Sequence, residues 1–330
     1  MTHAKIQTEG RLRFSARPQA ADLLFGFFSL FCLLLLLRNA DAALTFMTEG
    51  LILCAKTVIP SLFPFAVLSE MIASGDRFRR LLCRVVSPFG RLLGLGESGL
   101  CALLLGMLCG FPIGIRCAIR AYRSGELSKD EAERVIAFSG TPSSAFLIST
   151  VGVSLFGDRR FGVTLYLLVL FSAAVTGILL RLWDRKKVCE ACRVSWVSQT
   201  SPPPSVARRL TDAVNAAAQS MLLICAYVVF FATLVGTLEL ILAPLGLPEE
   251  VTAILSSVFE LSGGVKHAAS LSSSRLSRLI CAFAAGWSGL SVHCQALSFC
   301  ADTDLSLRRY LPAKLFQGAL TMTLTALLIG

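Results

Sequence analysis

Residues 105–114 read Leu-Gly-Met-Leu-Cys-Gly-Phe-Pro-Ile-Gly, and residues 139–144 read Ser-Gly-Thr-Pro-Ser-Ser. Both stretches interrupt apolar runs with glycine, proline and hydroxyl residues, where a plain membrane helix would continue. In a bilayer every backbone amide and carbonyl must be paired, so a helix breaks at depth only where protein buries the break or a polar cavity hydrates it. The pattern predicts two broken helices beside a polar site. The alternative is that these residues only kink and pack ordinary membrane helices.

The composition places the chain in a bilayer. Of its 330 residues 55% are hydrophobic and 16% are charged, whereas soluble domains carry roughly a quarter charged residues. The net charge of +10 comes from short Lys and Arg clusters between apolar runs, which is the pattern of cytoplasmic loops. There is no basic face with aromatic platforms for nucleic acid. We therefore predict an integral membrane protein whose partner is the lipid bilayer and not a nucleic acid.

The 12 cysteines lie mostly inside apolar runs, as buried free thiols on a reducing side would. Cys189 and Cys192 form a single CxxC motif in a basic loop. A structural zinc site needs four ligands, and the sequence has no second pair nearby. We expect neither a metal nor another cofactor.

Charge and hydropathy divide the chain into five regions. They are a basic cytoplasmic N-terminus (1–20), a first transmembrane helix and loop (21–43), a first repeat (44–182), a basic and proline-rich cytoplasmic linker (183–205) and a second repeat (206–330). Residues 40–42, Ala-Asp-Ala, resemble a signal-peptidase site. A cleaved signal is therefore the alternative to an uncleaved first helix with a cytoplasmic N-terminus.

Each half has the same plan: a long lead helix, two interrupted segments and a plain final span. Loop charges place the two lead helices in opposite directions, so the sequence predicts an all-α protein of two inverted repeats with broken or re-entrant helices. Such repeats put a substrate site at mid-membrane. Arg275 and Arg278 disagree with this topology, because their loop is placed outside. A capping box at residues 128–131 opens a helix that we expect at the membrane surface.

Five motifs carry a resemblance to a known family. They are residues 105–114, residues 125–134 (Gly-Glu-Leu-Ser-Lys-Asp-Glu-Ala-Glu-Arg), residues 139–146 with Gly152-Val153, residues 289–295 (Gly-Leu-Ser-Val-His-Cys-Gln) and residues 303–307 (Thr-Asp-Leu-Ser-Leu). In this order they resemble the YlbJ type of bacterial sporulation membrane protein, also called SpoVV, which is built on the nucleoside-recognition Gate domain. The resemblance extends over nearly the whole chain after residue 40.

The resemblance implies a fold related to concentrative nucleoside transporters, with the two repeats as Gate-type units. It also implies a role in spore maturation, moving dipicolinic acid across the outer forespore membrane toward the developing spore. The family's break near residue 140 usually starts with asparagines. Here residues 139–142 are Ser-Gly-Thr-Pro, a departure that puts the inherited substrate in doubt if this loop reads the ligand.

Helices that restart after the breaks would present free amides and positive dipole ends to an anion, and hydroxyl groups can bind a carboxylate or a ring nitrogen. Arg116 and Lys266 each follow a glycine break by two residues and would neutralise a carboxylate. The alternative for both is snorkelling to the interface. The predicted substrate-binding residues are Gly110, Pro112, Gly114, Arg116, Ser139, Thr141, Ser143, Ser144, Ser262, Gly263, Gly264, Ser288 and Ser291.

Glu260 is an acid within an otherwise apolar segment. Ionisable residues at membrane depth are costly and usually functional, so Glu260 is predicted to bind a coupling ion or proton, or to pair with Lys266. The alternative is a hydrated position near the surface. His293 is a second candidate for proton coupling, although a hydrogen-bonded packing role fits it equally well.

Three other functions compete with dipicolinate transport. Residues 286–289, Gly-Trp-Ser-Gly, match the motif of rhomboid proteases, but His293 lies in the same segment as Ser288 and points elsewhere, although His267 is not excluded by geometry. We therefore expect no enzyme. The remaining alternatives are a transporter of nucleoside-like solutes and a non-transporting scaffold or assembly factor of the spore envelope. The sequence leaves open the substrate, the coupling ion, the direction and the oligomeric state.

Overall fold

A computed structural model of the chain describes residues 19–75, Leu81, 87–183 and 205–329. Within these ranges every regular element is a helix, which confirms the all-α prediction. Nearly all of the predicted basic N-terminus and linker, and most of the basic patch that follows the first lead helix, lie outside the described residues. So does the Cys189–Cys192 motif.

The bounds of eight α-helices are described in the first half. The Cys54–Val58 π-turn joins α2 to α3, and a second π-helical segment, Phe146–Leu155, precedes α8. The helices are α1 (Gln19–Arg38), α2 (Ala40–Leu53), α3 (Ile59–Ala73), α4 (Ser87–Leu93), α5 (Glu97–Cys109), α6 (Ile113–Arg123), α7 (Lys129–Ser139) and α8 (Arg159–Trp183).

The second half contains six α-helices and one 3₁₀ turn, Ala243–Leu245, which follows its lead helix. The α-helices are α9 (Val206–Leu242), α10 (Glu249–Phe259), α11 (Leu261–Ser270), α12 (Ser274–Trp287), α13 (Gly289–Cys300) and α14 (Tyr310–Ile329).

Three helical stretches in the described ranges are long and apolar enough to cross a bilayer: Ala40–Ala73, Arg159–Trp183 and Val206–Leu245. The first contains α2 and α3, and the third contains α9, so both predicted lead helices are among them. Helix α1 coincides with the predicted first apolar helix and exposes most of its leucine and phenylalanine side chains. The exposed apolar surface suits lipid and not water.

Two pairs of short helices fold back on themselves as hairpins. In α5 and α6, Gly106 and Gly114 lie four residues on either side of Gly110, and a Cβ atom on Gly106 would lie 2.9 Å from the Gly114 Cα atom. In α10 and α11, Ser257 and Gly264 make a similarly close contact across Glu260. Contact between residues placed symmetrically about a break requires the chain to reverse there. We call these pairs hairpin 1 (97–123) and hairpin 2 (249–270).

The hairpins enter the molecule from opposite ends of α8, which is about 37 Å long at 1.5 Å per residue. Near the end of α8, Arg181 donates to the Arg91 and Leu92 carbonyls at 2.5 and 2.6 Å, and α5 begins shortly after them. Before the start of α8, Asp158 accepts from Arg278 of α12 at 3.1 Å. Hairpin 2 ends just before α12. We call the end near Arg181 the Lys129 end, after a loop contact described next, and the opposite end the Arg278 end.

Loop residues also meet at the Lys129 end. Asp304, between α13 and α14, accepts from the Tyr122 hydroxyl at 2.6 Å and from the Lys129 ammonium at 2.9 Å. These two donors lower the pKa of Asp304 below its usual range. The contacts place the loop after α13 beside the open end of hairpin 1, and so help to define which segments share this end.

Helix α7 lies in the interior, so its prediction as a surface helix is wrong. Ala132, Val135, Ile136 and Ala137 have no exposed surface. The capping box is half formed: the Ser128 hydroxyl accepts from the Glu131 amide at 3.3 Å, but the Glu131 carboxylate accepts from Gly96 at 2.7 Å. The charges at the start of α7 therefore pair with protein groups, which lets the helix enter the core.

Candidate functional site

All four breaks in the two halves converge on one small cavity of about 60 Å³. Hairpin 1 contributes Phe111, the break after α7 contributes Pro142 and Ser143, and the lead helices α3 and α9 close the sides. The second half contributes Glu260, Ser262 and Ser288 to the same lining. The sequence predicted the four breaks separately, and the fold brings them together.

Glu260 forms the turn of hairpin 2 and caps the helix that follows. Its backbone is extended (φ −144°, ψ 131°), and its carboxylate accepts from the Ser262 and Gly263 amides at 2.9 and 2.5 Å. The side chain is 4% exposed. A carboxylate at a helix N-terminus satisfies amides that have no other partner and faces the positive end of the helix dipole.

This cap changes two predictions. Glu260 does not pair with Lys266, whose side chain is exposed on another cavity, nor is Glu260 a hydrated surface residue. The amides of Ser262 and Gly263 at the start of α11 are also not free to bind an anionic solute, because they already donate to the Glu260 carboxylate. Gly264, also predicted to bind substrate, instead packs against the Ser257 backbone within the hairpin.

The two breaks of the first half are joined through their backbones. The Phe111 amide donates to the Thr141 carbonyl at 2.7 Å. Gly110 has φ +80°, and a Cβ atom there would lie 2.6 Å from the Ser143 Cα atom, so the close approach requires glycine. Ser143 and Ser144 then act locally: Ser143 accepts from the Phe146 amide at 3.1 Å, and Ser144 donates to the Leu108 carbonyl at 3.2 Å.

The break in the second half between α12 and α13 leaves polar atoms unpaired. Ser288 has φ +76°, and its hydroxyl has no hydrogen-bond partner among the described residues. The same is true of the Gln295 Oε1 atom, while Gln295 Nε2 donates to Ser291 at 3.2 Å. Ser288 and Gln295 are each 1% exposed and line the cavity. Buried polar atoms are rarely left unpaired, so these two are suited to bind a solute or water.

A larger cavity of about 580 Å³ adjoins the first, and we call it the vestibule. Ser61, Phe146 and Ser262 line both cavities. Lys56 and Lys266 line the vestibule with Glu49, and within the described chain neither lysine has an ion-pair partner. Lys56 lies in the π-turn of the first lead helix, and such π-bulges are frequent at functional sites.

Several predicted residues support the breaks without lining the cavity. Gly114 and Ser139 pack against Gly106, where they hold hairpin 1 against the end of α7. Pro112 follows a cis peptide bond at the tip of that hairpin. The hydroxyls of Ser139 and Thr141 are buried and, in the described part of the chain, have no hydrogen-bond partner. Their predicted contact with a solute stays a prediction.

Arg116 does not line the cavity, and its predicted contact with a substrate stays a prediction that these contacts do not favour. It donates to the Ala216 carbonyl at 2.8 Å and to the Ser220 hydroxyl, both on α9. It also lies 3.4 Å from the buried Glu70 carboxylate, to which Arg120 donates at 2.6 Å. Arg116 therefore ties hairpin 1 to both lead helices.

Replacing Arg116 with alanine is expected to destabilise the protein without changing its affinity for solute. Removing one partner of a buried ion pair costs 3–5 kcal/mol; because Arg120 still neutralises Glu70, we expect roughly 1–3 kcal/mol. Thermal denaturation in detergent measures the loss, with Arg123→Ala, an exposed arginine on the same helix, as the control. A rise in the KM for uptake at unchanged thermal stability would contradict the assignment.

His293 is buried behind the break and does not line the cavity. Its Nδ1 atom lies 3.1 Å from the Tyr310 hydroxyl, and its ring meets the Trp287 ring edge to face at 4.3 Å. The Nε2 atom has no partner among the described groups. The packing interpretation therefore describes these contacts, while proton coupling by His293 stays a prediction.

A second hydrogen-bonded cluster, not predicted from sequence, joins hairpin 2 to the lead helix α9. His267 Nδ1 lies 3.3 Å from Glu239 and 2.8 Å from the Ser256 hydroxyl, which also contacts Glu239. The cluster borders a cavity of about 130 Å³ that Glu260 also lines. No group of three or more His, Cys, Asp or Glu side chains suited to hold a metal occurs in the described ranges.

Sequence reasoning missed three residues of this region: Lys56, Gln295 and Lys314. Lys56 is the one cation of the apolar stretch Ala40–Ala73, and Lys314 is the one charge of α14; charges inside apolar helices are a signal of function in membrane proteins. Gln295 is the last residue of the 289–295 motif, but nothing in that motif predicts that the Gln295 side chain lines the cavity.

These features define a class: an all-helical membrane protein in which two helical hairpins and two interrupted helices meet at a small, mainly apolar cavity with a few polar side chains. The sporulation integral membrane protein YlbJ of Bacillus subtilis (strain 168) is 25% identical to the chain over 336 residues, which cover 93% of this chain and 82% of the relative. The resemblance to the YlbJ type is thereby confirmed along nearly the whole chain. No protein-family model matches the chain, and no solved structure matches it.

Proposed function

We propose that the protein is a transporter, not an enzyme, and that it moves a small polar or anionic solute through the cavity between two inverted repeats. One observation carries the proposal: four separate helix breaks converge on one small cavity lined by Ser288 and Gln295, which carry buried polar atoms without a partner among the described residues. A structural scaffold has no need for interrupted helices at matching positions in both halves. Secondary transporters build their substrate sites in this way.

The order of the helices supports the inverted repeats. Each half contains a lead helix, a hairpin, an interrupted helix and a final helix: α2–α3 corresponds to α9, hairpin 1 to hairpin 2, and α8 to α14. The interrupted helices are α7 with Phe146–Leu155 and α12 with α13. Hairpin 1 enters from the Lys129 end and hairpin 2 approaches from the Arg278 end, as a twofold axis in the membrane plane requires. A relation to concentrative nucleoside transporters and the Gate domain belong to the same proposal.

The sizes of the cavities suggest a state that is open on one side. A cavity of about 60 Å³ is too small for an aromatic solute, whereas the vestibule of about 580 Å³ has the size of a small-molecule site. The vestibule is bounded by hairpin 2 and by the end of the Phe146–Leu155 segment, which precedes Asp158 at the Arg278 end. We infer that solute enters there, passes Ser61, Phe146 and Ser262, and reaches the breaks when the hairpins move.

The charges favour an anion in the vestibule. Lys56 and Lys266 supply two cations against the single carboxylate of Glu49, and a vestibule of one dominant sign concentrates ions of the other. Dipicolinic acid, which the resemblance implies, is a small aromatic dianion of this kind. A role in sporulation follows the name of the Bacillus relative. The Lys129 end is proposed to face the cytoplasm, because arginines lie there. The membrane itself is proposed, from the resemblance, to be the outer forespore membrane.

Uptake into vesicles that contain the purified protein tests the proposal. We expect saturable uptake of labelled dipicolinate and no uptake of uridine, which is the neutral comparison solute. Uptake of uridine alone would keep the transport mechanism and replace the substrate by a nucleoside-like solute. If folded protein carries neither solute, the transporter proposal fails, and the scaffold or assembly factor takes its place.

A further inference from the structure

Lys314 is a buried cation that the transport site described above does not use. It lies in the second turn of α14, and its side chain has no exposed surface. Its Nζ atom donates to the Gly140 carbonyl and, at 3.0 Å, to the Gln317 Oε1 atom. Both acceptors are neutral oxygens, and among the described residues Lys314 forms no ion pair.

The Gly140 carbonyl belongs to the broken end of α7, which ends at Ser139. The last carbonyls of a helix have no partner within the helix and form the negative end of its dipole. A cation is favoured at such an end. The ammonium of Lys314 therefore compensates a helix end that would otherwise be buried without a partner, and the helix end compensates a buried cation.

Lys314 acts on the cavity through this break. Gly140 is followed by Thr141, whose carbonyl accepts from Phe111, and by Pro142 and Ser143, which line the cavity. Lys314 itself lies outside the cavity lining. One turn earlier on α14, the Tyr310 hydroxyl lies 3.1 Å from the His293 Nδ1 atom.

We propose that Lys314 is a tethered cation that positions the Gly140–Ser143 break, in the place where a bound inorganic cation would otherwise be needed. The inference rests on the proposed transport function and deepens it. Because the protein itself supplies the cation at this break, solute flux is expected not to require sodium. Lys314 is a positioning residue: it holds the backbone that shapes the cavity and does not touch the solute.

The first test compares flux in vesicles. The wild-type protein is expected to transport dipicolinate at the same initial rate, within twofold, in sodium and in choline buffers. Lys314→Met keeps the length of the side chain but removes the charge and the donors, and should lower the rate at least tenfold. Thr325→Val, a buried change on the same helix whose hydroxyl donates to the Thr321 carbonyl at 2.8 Å, is the matched control. Wild-type flux that requires sodium, or a folded Lys314→Met protein with normal flux, overturns the proposal.

A second test does not depend on transport. Lys314→Ala leaves space for a small amine, so added ethylammonium should raise the thermal denaturation midpoint of this variant in detergent by several degrees more than that of the wild-type protein. No difference between the two overturns the tethered cation even if transport is confirmed. If the wild-type protein carries no solute but the amine stabilises Lys314→Ala, the cation site stands and the proposed transport function fails.

Discussion

Replacing Glu260 with glutamine is expected to lower the initial rate of solute uptake at least tenfold while the protein stays folded in the membrane. The carboxylate accepts from two amides at the start of α11, and both oxygens are used. A glutamine amide has one acceptor oxygen, so its NH₂ group would face one of these backbone donors. Loss of a helix cap costs about 1 kcal/mol, and a buried donor left unpaired costs about 1–3 kcal/mol more, which is too little to unfold the protein but enough to shift the hairpin turn that lines the cavity.

The matched control for this variant is Glu249→Gln. Glu249 opens the first helix of the same hairpin and is exposed, so its replacement changes the net charge equally without touching the cavity. Protein yield in the membrane and the thermal denaturation midpoint show whether each variant is folded. A Glu260→Gln protein that is folded and transports like the wild type would argue strongly against the site at the four breaks.

The second large effect is expected from the vestibule. Replacing both Lys56 and Lys266 with glutamine should lower kcat/KM for dipicolinate by about tenfold at low ionic strength, because steering by fixed charges raises association rates by roughly 10–10³-fold. The effect should shrink as salt is added, since the Debye length falls to about 8 Å at 0.15 M. Initial rates of uptake, measured over a series of salt concentrations, provide the test.

Two controls separate recognition in the vestibule from general surface charge. Arg160→Gln removes an exposed cation in the first turn of α8 at the same end of the molecule, outside the residues that line the vestibule, and should change the rate less than twofold. A neutral solute that the protein carries should be unaffected by the double change. If the double variant slows anionic and neutral solutes alike, Lys56 and Lys266 are structural and do not select the charge of the solute.

The breaks were predictable from sequence because their signals are local. Glycine and proline at residues 110–114 and 140–142 interrupt apolar runs independently of any distant contact, and α5 and α7 end just before them. The convergence of the breaks on one cavity followed from the repeated plan of the two halves. The hairpin reversals depend on close glycine contacts, such as Gly106 with Gly114, and a helical pattern alone does not distinguish them from helices that continue in one direction.

The errors concern partners that are distant in sequence. Arg116 was assigned to the solute because it follows a glycine break by two residues. Its partners were not foreseen, because Glu70 precedes it by almost 50 positions and its contacts on α9 follow by 100 or more. Helix α7 was placed at the surface because of its charges, although Glu131 finds the Gly96 amide and the apolar face is fully buried. Lys314 carried a signal in the sequence, as a charge in an otherwise apolar span, but only the fold shows its partner, the Gly140 carbonyl 174 positions away.

The vestibule has an electrical consequence. It is large enough to hold water, and it extends from hairpin 2 to the narrow passage at Ser61, Phe146 and Ser262. Water in the vestibule would bring the bulk solution deep into the protein, so the membrane voltage would fall mainly across the thin layer of helix ends beyond this passage. Each elementary charge moved across the membrane is worth about 2.3 kcal/mol per 100 mV. A doubly charged solute would therefore meet most of that voltage in the single step that carries it past the four breaks.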